Sequence, residues 1–145
     1  MICIKKGVLT MKKKFAILLT AAVLLSACLT GCGGGYAAKY SAEGLKYTNN
    51  TSDLATMSFE QFDGAKVFGL SAKKGEEGII TYSASLESGS ITVYYDNDGT
   101  KREMFTINGG EEVSSTCGPF GDGRVYVIVE TNEASTNGSF EFEIE

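Results

Sequence analysis

The chain has 145 residues, with 13 Lys or Arg, 18 Asp or Glu and no His, a formal net charge of -5, 18 Gly, one Pro and no Trp. That length suits a single domain, and the lack of His removes the commonest general base, the usual Ser and Cys triads and imidazole zinc sites. An acidic balance with no Lys/Arg block in the body of the chain argues against a nucleic-acid partner, whose phosphates need clustered cations.

Residues 1–10 precede a complete signal sequence and have no role in one. Lys5-Lys6-Gly7 can be encoded by a purine-rich stretch ahead of the Met11 codon, where a ribosome-binding site would sit, so Met11 is the expected start. From there Lys12-Lys13-Lys14 is followed by the apolar run Phe15 to Ala27, the basic and apolar regions of a secretory signal. As a helix the run spans about 20 Å, short of the roughly 30 Å of a bilayer core. Residues 11–31 are therefore expected to form a signal helix rather than a permanent span.

Leu25-Ser26-Ala27-Cys28 and Leu29-Thr30-Gly31-Cys32 each resemble the lipobox of bacterial lipoproteins: an aliphatic residue, two small residues, then Cys. The resemblance implies that the thiol is alkylated with diacylglycerol and that a peptidase cuts just before it. It further implies a lipid-anchored protein on the extracytoplasmic face of the cell membrane. Cys32 is the preferred lipidation site, because the Gly33-Gly34-Gly35 tract after it makes a flexible tether; Cys28 is the alternative. Apart from that covalent lipid, no cofactor is expected. Lys5, Lys6, Lys12, Lys13 and Lys14 all precede the cut, which leaves 8 basic residues against 18 acids, a net charge of -10. Anionic headgroups repel such a body, which suits a domain held off the membrane by residues 32–53. Cys117 is then the sole thiol of the mature chain, whereas lipidation at Cys28 leaves Cys32 available to bridge to it.

Residues 33–53 lack a steady period and read as tether plus irregular lead-in, with one short strand near Tyr47. From Leu54 to Glu145 the pattern is period two. Met57 to Phe62 and Lys66 to Ser71 are candidate strands around an Asp63-Gly64 turn. Ile79 to Leu86 aligns Ile80, Tyr82, Ala84 and Leu86; Ser90 to Tyr95 aligns Ile91, Val93 and Tyr95. Arg102 to Ile107, Arg124 to Glu130 and Ser139 to Glu145 follow, the last alternating Phe140, Phe142 and Ile144 with Glu141, Glu143 and Glu145. Such alternation marks half-buried antiparallel strands. Glu87-Ser88-Gly89, Asp96 to Gly99, Asn108 to Gly110 and Asn137-Gly138 supply the positive-φ residues of tight hairpins. The expected fold is an all-β antiparallel sandwich, jelly-roll-like, over residues 54–145.

Phe62-Asp63-Gly64, the run Leu86 to Gly99, Gly123 to Glu130 and Asn137 to Phe140 resemble small lipoproteins of Gram-positive-type bacteria. More distantly they resemble β-sandwich modules appended to secreted peptidases. The resemblance implies a stabilising or surface-binding appendage and transfers no catalytic residue.

The candidate chemistry is thin. Asp96 and Asp98, before Gly99, resemble the opening of a calcium loop, but Thr100-Lys101-Arg102 brings positive charge where later ligands belong; a plain hairpin turn is expected and no metal. Asp122 is a second oxygen donor with the same weakness. Ser71-Ala72-Lys73-Lys74 matches Ser-x-x-Lys, yet at a strand end those side chains point to opposite faces. Cys117 lies in a turn-rich stretch with no nearby His or Lys to lower its pKa. The remaining set is Thr92, Tyr94, Tyr126 and Ile128, which fall opposite the aliphatic faces of two strands. Tyrosines on a sheet face can bind sugar rings or another protein, and the absence of Trp weighs against a sugar; the alternative is that both faces of these central strands are covered within the sandwich. The expected function is a lipid-anchored, non-catalytic binding or accessory module. Its partner is an envelope protein or glycan; a small hydrolase or a structural spacer is the alternative.

Overall fold

The computed structural model describes residues 35–49, 51–121 and 123–145. The start, the signal helix, Cys28, Cys32 and Asp122 lie outside the described residues. Seven antiparallel strands follow in chain order: β1 (Lys39–Glu43), β2 (Lys46–Thr48), β3 (Leu54–Ser71), β4 (Gly78–Asp96), β5 (Arg102–Asn108), β6 (Glu111–Phe120) and β7 (Arg124–Ile144). They form one sheet in the order β1-β3-β7-β4-β5, with β2 added to β3 and β6 to β4.

Three strands are far longer than the alternation suggested. The segments expected to be hairpins around Asp63-Gly64, Glu87 to Gly89 and Asn137-Gly138 are single strands, β3, β4 and β7, bent at those points. Positive-φ residues serve a bend as well as a turn, and period two does not distinguish them. The β3–β7 register slips between Phe62 and Ala65, where Gly64 has φ 128 and a Cβ would sit 2.6 Å from the Tyr40 Cα. The β4–β7 register slips around Ser88 and Ser90, beside Gly89 with φ 100. Asp96 to Gly99 does close a hairpin between β4 and β5, whereas the expected hairpin at Asn108 to Gly110 is a turn that carries the chain from β5 to β6, which pair with different segments of β4 and not with each other.

The bends fold the sheet onto itself. Phe68 pairs with Val127 on β7, about fifteen residues and roughly 50 Å of extended strand from Phe142. Their rings are nevertheless 6.5 Å apart. Tyr82 stacks on Phe105 at 4.6 Å, and Tyr95 meets Phe120 edge-on at 5.3 Å. Both pairs join strand segments distant along the sheet. The result is a two-layer sandwich. One layer holds β2, β6 and the segments near Leu54–Phe62, Gly78–Leu86 and Gly138–Ile144. The other holds β5 and the segments Lys66–Ser71, Ile91–Asp96 and Arg124–Glu130.

The core between the layers contains Met57, Phe62, Phe68, Leu70, Ile80, Ile91, Val93, Val125, Val127, Phe140 and Phe142, all at most 1% exposed. Ile80, Ile91, Val93, Val125, Val127, Phe140 and Phe142 are inward positions that alternation assigned, whereas Tyr95, aligned with Ile91 and Val93 in the sequence, is half-buried. β2 is the short strand expected near Tyr47, while β1 begins earlier than the tether reading of 32–53 allowed; both pair with β3, and Ala38 and Tyr40 join the core. β6 falls in a stretch read as turn-rich. Its residues are mostly exposed because it is an edge strand, so it lacks the apolar alternation by which strands are recognised. No helix among the described residues is long and apolar enough to cross a membrane.

Candidate functional site

The outward face of the second layer gathers the four residues singled out in the sequence. Register sets Tyr94 opposite Ile128, Thr92 opposite Glu130 and Asp96 opposite Tyr126 on neighbouring strands β4 and β7. Directly opposed residues share a face, so the rows continue into Val67 and Gly69 of β3 and into Thr106 and Glu103 of β5. Thr92 and Ile128 are 5% and 2% exposed and form the floor. Tyr94 and Tyr126 are half-buried and carry the accessible surface.

Three further residues complete this face. Tyr36, just ahead of β1, packs against Tyr126 with ring centroids 6.3 Å apart, and its hydroxyl donates to Asp96 Oδ2 at 2.7 Å. Lys101 lays its ammonium 4.1 Å from the Tyr94 ring centroid and pairs with Glu130 at 2.7 Å. Asn132 donates to Ser90 Oγ and Thr92 Oγ1 at 3.0 and 2.9 Å, and Thr92 meets Thr106 at 2.9 Å. The polar groups of the floor are thus satisfied from within. Tyr36 is invisible to pattern reading because it follows a glycine tract, and Lys101 because only the hairpin returns it over Tyr94.

Asp96 and Asp98 are engaged by donors. Asp96 Oδ1 accepts from the N–H groups of Asp98 and Gly99 at 3.0 and 2.6 Å, closing the hairpin. The Tyr36 hydrogen bond, with those N–H groups, holds its carboxyl below the usual carboxylate range. The same bond to the carboxylate raises the Tyr36 phenol. Asp98 takes both guanidinium nitrogens of Arg102 at 2.9 and 3.0 Å, which lowers its carboxyl too. Among the described residues no three His, Cys, Asp or Glu side chains converge as a metal would require.

Ser71 lines an open hollow with Lys73, Glu76 and Glu143, and Lys74 is not part of that lining. Cys117 pairs in register with Ile80, carries no disulfide among the described residues, and its thiol pKa is pushed up by burial, which disfavours the reactive thiolate. A second aromatic cluster went unread in the sequence. Lys66 is 6% exposed, with its ammonium 3.6 Å from the Tyr47 ring centroid and near Tyr40 and Phe68. Burial lowers its pKa.

The chain matches no family model and no curated protein. Solved structures of similar fold include a periplasmic inhibitor of g-type lysozyme from Aeromonas hydrophila, at 13% identity over 69% of this chain and 92% of that one, TM-score 0.45. A pre-peptidase C-terminal domain of a Bacillus anthracis collagenase gives 14% identity over 65% and 89%, TM-score 0.41. A family 29 carbohydrate-binding module gives 13% over 83% and 80%, TM-score 0.41. The likeness is one of β architecture alone.

Proposed function

We propose that the protein is a membrane-anchored extracytoplasmic lipoprotein whose sandwich is a non-catalytic binding module, with the face of Tyr36, Tyr94 and Tyr126 as its contact surface. The observation that carries this reading is the convergence of three half-buried tyrosines and Lys101 over a floor whose own polar groups are already paired. Tyrosine offers large contact area at small conformational cost together with a hydroxyl for polar partners. The anchor rests on the ordered signal: basic region, short apolar run, lipobox. An envelope protein or an envelope glycan suits such a surface in outline.

The test is a titration of the isotope-labelled soluble domain with peptidoglycan fragments, oligosaccharides and lipid vesicles. Amide shifts are expected to cluster around Tyr94, Tyr126 and Lys101 for the true partner. Shifts confined to β6 or to the Ser83–Glu141 face would refute the assignment.

A further inference from the structure

The tyrosine face sits at the root of the tether. Tyr36 is fastened to it by the bond to Asp96 and the contact with Tyr126, and only Gly33, Gly34 and Gly35 separate Tyr36 from Cys32. Four residues span at most about 14 Å when fully extended. A lipid on Cys32 therefore holds Tyr36, and with it the edge of this face at Asp96 and Tyr126, within that distance of the anchor.

Charge is distributed to match. Register places Lys39 and Arg124 on the outward face of the tyrosine layer, and Lys101 lies over Tyr94 and pairs with Glu130, against Glu103 and the hydrogen-bonded Asp96. The outward face of the other layer carries Glu112, Glu141 and Glu143 with Lys46 among rows of Ser and Thr, including Thr56, Ser58 and Ser83. The two layers are about 10 Å apart, so the acidic face is more than one Debye length, about 8 Å at physiological salt, from anything against the tyrosines. Net charge of the whole domain thus gives a poor account of what the near face experiences. Tyrosine rings with polar tips and lysines are the side chains that favour a membrane–water interface.

We propose that the partner of the tyrosine face is the phosphate-bearing headgroup layer of the membrane to which the protein is tethered, with the acidic hydroxyl-rich face turned outward. This rests on the lipoprotein reading and on Cys32 as the lipidated residue. Docking buries Tyr94 and Tyr126 at the interface and sets Lys101 and Arg124 among phosphates. Lipidation at Cys28 doubles the tether and loosens the constraint.

The chain has no Trp, so Tyr94→Trp and Ser83→Trp each introduce one fluorophore, on opposite faces; Tyr126→Trp is the reserve for the first. The lipidated proteins, extracted from membranes, are reconstituted in phosphatidylglycerol–phosphatidylethanolamine vesicles bearing a headgroup spin label. Quenching is expected to be several-fold stronger for the probe at position 94 than at position 83. Equal quenching, or stronger quenching at 83, overturns the proposal. So does a probe at 94 that ignores the lipid label but shifts with peptidoglycan fragments, which would make the face a glycan site. The mass of the N-terminal peptide is read on the same sample: an unlipidated terminus refutes the anchor itself, while a lipidated Cys32 without selective quenching refutes only the docking.

Discussion

Phe68 and Phe142 test whether the sheet folds over as described. Both are at most 1% exposed, with rings 6.5 Å apart, although the β7 positions they relate to are roughly 50 Å apart along an extended strand. Changing either to Leu leaves a small cavity and removes apolar contact, a cost of about 1–2 kcal/mol. Aromatic pairs in contact add about 0.5–1.5 kcal/mol beyond area burial, so the double variant is expected to be less destabilised than the sum of the singles by about 1 kcal/mol. Sites without contact add within about 0.3–0.5 kcal/mol. Urea unfolding at constant m-value supplies the four free energies of the cycle. Strict additivity would mean that the layers do not face one another through these rings, and the two-layer account would fail.

Other expectations follow from single sites. Tyr94→Ala and Tyr126→Ala should each cost only about 1 kcal/mol of stability while weakening partner binding about tenfold or more, read by the same titration that maps the face. Gly64→Ala forces a side chain into φ 128 against β1 and should cost about 1–3 kcal/mol or more, seen as faster hydrogen exchange of β1. Lys66 has a folded pKa below its ordinary 10.5, so the unfolded chain holds more protons between those values and stability should rise with pH across that interval; Lys66→Met should flatten the rise in thermal melts. Asp96 gives a slope of the same sign, in the acid range. Its folded pKa is depressed by Tyr36, so its stabilisation is present above the unfolded carboxylate pKa and is lost as pH falls through the folded value. Asp96→Asn should lower neutral-pH stability by about 1 kcal/mol and shrink the acid-induced loss.

Which side chains face inward was legible from alternation: Ile80, Tyr82, Val93, Val127, Phe140 and Phe142 are buried where period two places them. Of the chain reversals, the Asp96 to Gly99 hairpin was legible, but the others were not, because Gly89 and Gly64 look the same in sequence whether they close a hairpin or bend a strand. β6 was missed because an edge strand has no need of a buried face, and β1 because its apolar residues, Tyr40 and Ala42, sit among small and polar ones. At the site, Tyr94 and Tyr126 were found by parity on adjacent strands. Burial of Thr92 and Ile128 fits the alternative in which both faces of these strands are covered, a choice that parity alone does not make because it depends on what lies across them. Tyr36 and Lys101 arrive through long-range contacts that local patterns do not encode.

Both the proposed function and the membrane docking depend on the anchor. Fatty-acid labelling and N-terminal mass of the protein purified from membranes, in the native chain and in Cys28→Ser and Cys32→Ser variants, test it most directly. The account predicts a mature chain beginning at diacylglyceryl-Cys32, with label retained in Cys28→Ser and lost in Cys32→Ser. An unlabelled protein, or label that survives in both variants, would contradict it.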